Sequence, residues 1–322
     1  MKKTFLFIAL AAGIFFSLIF GAEPIKIADL FINGSSFSKT IFTGIRLPRT
    51  ILCIIAGMAL AGSGAIFQLF FRNPLAEPGI MGVSSGAALG AVIASCTGSL
   101  TTTFFSSLQL GSFLGALASG FLAIAIAGRK TPATLLLCGT ALGTLYSAFS
   151  SILLSTHSRQ LHSIYMWMLG SFSGRGWEEI LFILPPFLGS LIISCTCIFK
   201  LDILSCGITN AASLGLSIKK LQLAVLVSGA LAVSAAVCAG GTIGFVGLIA
   251  PHITRKFFGP KAKNSVPLSM VTGASIMLFS DTICRTVIAP AELPVGTVTA
   301  MLGAPFFISL LFSQKRGSEW TS

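Results

Sequence analysis

The stretch IRLPRTILCIIAGMALAGSGAIFQLFFRNPLAEPG, Ile45–Gly79, decides what kind of molecule this is. Its centre is an apolar run of about 20 residues, which at about 1.5 Å rise per residue matches a hydrocarbon core of about 30 Å. Arg46-Leu47-Pro48-Arg49 fences one side and Arg72-Asn73-Pro74-Leu75-Ala76-Glu77-Pro78-Gly79 the other. Both fences are charged and proline-broken, so each is expected to end a helix. The solvent for this segment is lipid.

Composition extends that reading to the whole chain. Of 322 residues 54% are hydrophobic and only 9% charged, against roughly 25% charged in a soluble domain. Further apolar stretches run over 4–20, 83–96, 104–127, 133–155, 180–199, 221–239, 243–253, 267–283 and 295–312, about ten spans in all, some of them short for a full crossing. They fill most of the chain, so the expectation is an all-α, polytopic membrane protein with one transmembrane domain over 1–322 and no soluble domain. The net charge of +12 would suggest nucleic acid in a soluble protein. Here the basic residues lie singly between spans, and no nucleic-acid partner is expected.

The charge distribution sets an orientation. Lys2 and Lys3 ahead of an apolar stretch ending in Phe20-Gly21-Ala22 fit either a cleaved signal peptide or a retained first span. With a cytoplasmic N-terminus and ten spans, Lys315 and Arg316 are cytoplasmic too. That side then collects Lys2, Lys3, Arg72, Arg129, Lys130, Lys200, Lys219, Lys220, Arg255, Lys256, Lys261, Lys263, Lys315 and Arg316, which is 14 of the 21 basic residues, as the positive-inside rule requires. Arg46, Arg49 and Arg285 break the rule by abutting span ends on the outer face, where they either snorkel to lipid phosphates or have a job. Five spans per half would turn the second half upside down relative to the first, although no sequence repeat marks this.

The eight cysteines sit mostly in apolar runs without a Cys-x-x-Cys pair and read as small buried hydrophobes; no metal site is expected. Gly82-Val83-Ser84-Ser85-Gly86 fits the Gly-x-Ser-x-Gly pattern of serine hydrolases, and His252 lies in a later span. With 34 glycines the pattern arises by chance, and the strand-to-helix turn that gives it meaning is missing. His252 reads as a structural hydrogen-bonding residue. Small residues four apart (Gly86 and Gly90, Gly111 and Gly115, Gly139 and Gly143, Gly240 and Gly244) predict close helix contacts. Asp281 is the single carboxylate placed within a span, four residues before Arg285, so the two share a helix face and can pair. So few midplane carboxylates argue against an ion-coupled carrier. No phosphate-binding loop occurs in the chain, so any ATP chemistry belongs to a partner. The segment from 201 to 221 is long enough for two short helices, punctuated by Gly207 and Gly215, that dock on something.

The motifs together resemble a family. Arg46-Leu47-Pro48-Arg49, Gly62-Ser63-Gly64 and Arg72 through Gly86 are followed by Trp167-Met168-Leu169-Gly170-Ser171-Phe172. Then come Gly244-Phe245-Val246-Gly247-Leu248-Ile249-Ala250-Pro251-His252-Ile253, Glu292-Leu293-Pro294-Val295-Gly296 and Gly303-Ala304-Pro305-Phe306-Phe307. This ordered set is similar to the FecCD-type permeases, membrane subunits of ABC importers for ferric siderophores, haem and cobalamin. The resemblance implies the type II ABC importer permease fold with both termini cytoplasmic, in the inner membrane of a bacterium.

It also implies partners: a second copy or a paralogue, a dimer of ATPase subunits below, a substrate-binding protein above, and membrane lipid around. Neither a cofactor nor a catalytic residue is expected. Arg46, Arg49 and Arg285 correspond to arginines that, in the cobalamin importer, face acidic residues of the binding protein. Gly207, Ala211, Leu214 and Gly215 match the segment that couples to the ATPase. Ile208 and Ala212 stand where relatives often carry Glu and Arg, which predicts a more apolar contact there. Thr131, Pro132, Ala133 and Thr134 fall where the family forms its cytoplasmic gate, with Pro132 departing from the cobalamin-type pattern. The cargo expected from the resemblance is an iron complex, a ferric siderophore first and haem or cobalamin next.

Overall fold

A helix whose surface is small and apolar on every side has no face to offer water or headgroups, so protein must surround it. Residues 47–71 meet that condition. The computed structural model describes residues 2–21, 36–97, 107–127, 132–156 and 161–314, and it is helical throughout with irregular connections. In chain order the helices are α1 (Lys2–Ile19), α2 (Ser36–Ile41), α3 (Leu47–Phe71), α4 (Val83–Thr97), α5 (Ser107–Ala127), α6 (Pro132–Thr156) and α7 (Leu161–Met168). They continue with α8 (Trp177–Ser205), α9 (Ile208–Ser213), α10 (Ile218–Gly240), α11 (Val246–Phe258), α12 (Ala262–Thr286) and α13 (Val295–Gln314). Every apolar stretch read from the sequence coincides with one of them. Among the described residues, seven segments are long and apolar enough to cross a bilayer, α4 and α13 contain shorter apolar helices, and α11 completes the ten.

α3 is the axis, packing against α12, α10, α8 and α11. Its glycines set the distances. A Cβ on Gly57 would stand 2.5 Å from the Gly273 carbonyl oxygen, and one on Gly273 would stand 2.4 Å from that of Gly57. One on Gly64 would come within 2.0 Å of the Gly247 oxygen. Only hydrogen fits at these crossings. In lipid, where apolar surface gains nothing by leaving the solvent, such backbone approach is what makes helix association favourable. The predicted small-residue contacts form in the same way between α4 and α5, where a Cβ on Gly90 would lie 2.1 Å from the Gly111 oxygen. Gly139 and Gly143 receive the turn at Gly82, whereas Gly244 has open space around it.

The outer fence does not end a helix. The chain runs from α2 through a single π-type turn, Phe42–Arg46, straight into α3, and the Leu47 N–H bonds to the Phe42 carbonyl. Pro48 sits in the first turn of α3, where its missing N–H leaves the ladder least disturbed. At the inner fence the helix does stop. Arg72 takes a left-handed φ of 49°, and the Asn73 side chain accepts the Leu75 N–H at 2.9 Å.

Beyond that stop the chain turns back into the bundle before the next span begins. Pro78 packs near Gly229, midway along α10, and Val83 lies beside the Gly120–Ala230 contact. α4 therefore starts at half depth, and its 15 residues cover about 22 Å at about 1.5 Å each. α11, with 13 residues, is a second short helix entered through a break at 241–245. A cavity of about 320 Å³ lies where the two breaks approach, lined by residues that include Leu60, Glu77, Ser84, Thr242 and Gly247.

The two breaks stand five spans apart. α3 packs on α12 as α10 packs on α5, and α4 lies on α5 as α11 lies on α12. Swapping the halves preserves this pattern, so packing carries the five-by-five arrangement that the sequence leaves unmarked.

Replacing Gly57 by Leu is expected to abolish the folded protein, because the added atoms meet backbone and exceed the ~1–3 kcal/mol of ordinary overpacking. Gly44→Ala, at a position with nothing within 4 Å, serves as the tolerated control. Thermal unfolding and size-exclusion profiles in detergent measure both.

Candidate functional site

The three rule-breaking arginines come together at the outer end of α1, α3 and α12, with their side chains turned inward. Arg46, Arg49 and Arg285 are 4–5% exposed. Arg49 grips Asp281 of α12, its Nη2 2.8 Å and its Nε 3.1 Å from Oδ1. Its Nη1 donates to both oxygens of Glu292 at 3.0 Å. The Arg285 Nε lies 3.0 Å from the other Asp281 oxygen, which is the i,i+4 pair expected from the sequence. Asp281 itself is fully buried.

The remaining donors close off α1. Arg285 donates to the Ser17 carbonyl at 3.1 Å and the Phe20 carbonyl at 3.2 Å. Arg46 donates to the carbonyls of Leu18, at 2.9 Å, and Ile19. The last carbonyls of a helix have no intrahelical partner and carry its negative dipole end, so guanidinium groups are well suited to them. The Ser17 and Thr50 hydroxyls, 2.8 Å apart, add a tie between α1 and α3. A buried charge costs several kcal/mol unless it is paired and hydrogen-bonded, and here three cations share two carboxylates and the carbonyls of one helix end.

Glu292 is the member that the sequence reading passed over. It stands in the Glu292-Leu293-Pro294 motif but had no assigned partner, because 243 positions separate it from Arg49. Its side chain is 28% exposed, so the network reaches the outer surface at this residue.

At the other end of the bundle, the segment expected to couple to an ATPase forms one short helix, α9. Where two were expected, the chain instead passes from Leu214 directly to α10. Gly207 and Gly215 take φ of 113° and 81°, values that favour glycine over any side chain. The Ala211 N–H bonds to the Gly207 carbonyl at 2.9 Å, and the Leu216 N–H to that of Ala211 at 3.0 Å. Ala211 is buried against the body, while Ile208 is 59% and Leu214 73% exposed. Ala212 is exposed as well. The result is a small apolar knob on a fixed root.

Of the residues expected at an inner gate, Thr131 lies outside the described residues, and Pro132, Ala133 and Thr134 form the first turn of α6. His252 packs edge-on against Phe306, ring centroids 5.6 Å apart, in place of the hydrogen-bonding role expected. Ser84 follows a 3-10 turn and opens a helix, so the Gly-x-Ser-x-Gly match is a helix start facing the cavity. Cys53, Cys197, Cys238 and Cys284 are buried, as expected of packing residues, and Cys96 and Cys138 are half-buried, whereas Cys195 and Cys206 are exposed, against that expectation.

Known proteins resemble this chain in sequence and fold. The family model described as the FecCD transport family matches residues 9–313. The chain is 38% identical over 277 residues to a cobalamin import system permease of Halobacterium salinarum, covering 85% of this chain and 74% of that one. It is 37% identical over 273 residues to a Fe(3+)-citrate import system permease of Bacillus subtilis (84% and 81% covered). With a molybdate import system permease of Haemophilus influenzae it shares 39% over 280 residues (85% and 81%). Among solved structures, an inward-facing metal-chelate type ABC transporter superposes with a TM-score of 0.86 at 32% identity, covering 97% of this chain and all of that one. With the family model matching residues 9–313 and relatives more than a third identical over most of its length, the chain, a multi-pass membrane permease, belongs to the FecCD transport family.

Proposed function

We propose that this chain is the permease subunit of a bacterial ATP-driven importer that carries an iron complex across the inner membrane, a ferric siderophore first and haem or cobalamin next. The observation that carries the reading is α9. An apolar knob of Ile208, Ala212 and Leu214, exposed on glycine-set turns in a chain without a phosphate-binding loop, suits docking to an ATPase subunit through apolar contact. Closure of two such ATPases on ATP would push α9 and, through the root at 201–207, the inner end of α8. Transport leaves the cargo chemically unchanged, and no step requires a catalytic residue.

A binding protein would dock at the outer rim through Arg46, Arg49 and Arg285. Against Asp281 and Glu292 the cluster keeps one net positive charge, which attracts an acidic partner over distance and weakens with salt. Glu292 is the exchangeable member, and a partner carboxylate can take its place on the Arg49 Nη1. The exposed apolar residues of α6 and α13, such as Leu137 at 70% and Met301 at 71%, would meet lipid or a second copy or paralogue. The turn ahead of α6, with Thr131, Pro132, Ala133 and Thr134, would serve as the inner gate.

Three outcomes check this reading. In proteoliposomes containing the chain, its ATPase and its binding protein, Leu214→Asp should leave the permease folded while ATP-driven uptake falls by at least about tenfold, the equivalent of ~1.4 kcal/mol of coupling. Uptake that persists without any ATPase under an imposed ion gradient would instead make the chain a secondary carrier. Asp281→Asn leaves Arg49 and Arg285 facing each other and should cost about 3–5 kcal/mol of stability, seen as a lowered unfolding temperature in detergent. Glu292→Gln removes the carboxylate charge opposite Arg49 and leaves only a neutral acceptor that a partner carboxylate can displace, so binding-protein affinity should rise severalfold at low salt; an unchanged affinity would remove Arg49 from the docking surface.

A further inference from the structure

A second cavity, of about 430 Å³, opens at the inner end of the bundle. Gln68, Leu69, Arg72 and Pro74 line it from the end of α3, Leu201, Asp202 and Ser205 from α8, and Arg255, Pro260 and Lys261 from the α11–α12 turn. The docking reading does not use it, and the coupling reading uses only its walls, the root of α9 and Arg72, with no role for the space itself. Its chemistry is cationic. Three basic side chains face one carboxylate, and the Asp202 oxygens already accept the Ala262 N–H at 2.6 Å and the Lys263 N–H at 3.4 Å, the free donors that open α12.

Arg255 is the informative member. One of its terminal nitrogens donates to the Gln68 Oε1, and Gln68 in turn donates to the Gly247 carbonyl at 3.1 Å. The other, Nη1, is buried and has no hydrogen-bond partner among the described residues. A buried, unpaired guanidinium N–H is costly and rare. Arg72, whose Nη2 donates to the Leu204 carbonyl, and the exposed Lys261 leave further donor capacity at the cavity.

We infer that this cavity is a site for a phosphate group, supplied by the headgroup of an anionic phospholipid of the inner leaflet. Three cations with spare N–H donors match phosphate oxygens, and Arg in particular matches them two at a time. The position argues for lipid as the source. The cavity lies where α3, α8 and α11 end, on the side to which 14 of the 21 basic residues were assigned, and Leu69, Leu201 and the two prolines give it an apolar flank for the glycerol backbone. Basic pockets between helices at this depth are suited to lipid headgroups. A phosphate held there would tie α3 and α11 to the end of α8, one turn before α9. The site stands on its own geometry, and its test needs no ATPase.

The test uses the purified full chain in detergent, with native mass spectrometry and thermal unfolding as readouts. Phosphatidylglycerol should bind at least tenfold more tightly than phosphatidylcholine and raise the unfolding temperature. Lys261→Gln, an exposed change that leaves the fold intact, should weaken phosphatidylglycerol binding about fivefold, and Arg255→Gln by more, with phosphatidylcholine binding unchanged in both. If Arg255→Gln fails to fold, Lys261→Gln decides alone. Equal affinity of wild type and Lys261→Gln for phosphatidylglycerol would overturn the site. Saturation by low-millimolar inorganic phosphate, with no preference for the lipid, would overturn the lipid as its source.

Discussion

The approach of α3 and α12 at Gly57 and Gly273 is the constraint on which the rest of the molecule depends. Each carbonyl fills the space where the other residue's Cβ would stand, so the two backbones are in contact over that turn. Once this crossing is set, the outer ends of the same two helices bring Arg49 to Asp281. At the inner ends, α3 delivers Gln68 and Arg72 to the cavity that the start of α12 helps to close. Lipid offers no hydrophobic drive for helix association, so the apolar character of α3 alone could not have produced this geometry. Absent side chains did.

That arrangement places three chemically different regions along one helix. The outer region is a charge network with two carboxylates among three guanidinium groups, stable because every member answers another or caps the end of α1. Leu60, in the middle, faces the cavity between two broken spans. The inner region is cationic and stands beside the root of α9. On the proposed coupling, force applied at α9 would reach α3 through α8 and the Arg72–Leu204 contact.

The buried arginines hold the fold together and, on the proposed reading, would also serve docking. In sequence they look like surface charges at span ends, and the positive-inside rule marks them as anomalous. In the folded chain they are structural first, holding α1 against α3 and α12. Among the described residues, Glu292 is the network member that reaches the surface. A docking partner would therefore meet a cluster already assembled and poised by its own fold.

Much was legible in the residues themselves. Hydrophobic runs of bilayer length gave the ten segments, because span length is dictated by membrane thickness and needs no tertiary information. Glycines at four-residue spacing announced close helix contacts, and the Asp281–Arg285 pair followed from helical periodicity. Long-range geometry decided the rest. Arg49 and Glu292 are 243 positions apart, so no local pattern could pair them. The Pro48 fence continues as a helix because a π-type turn absorbs it, a choice made by the packing of the chain ahead of α3. The half-depth starts of α4 and α11, the packing symmetry between the halves, and the meeting of Arg72, Arg255 and Lys261 around one cavity all depend on which helices lie side by side. The sequence by itself determined the solvent, the spans and the family; the tertiary structure decided which charges are buried, which are paired, and which still have a hydrogen bond to give.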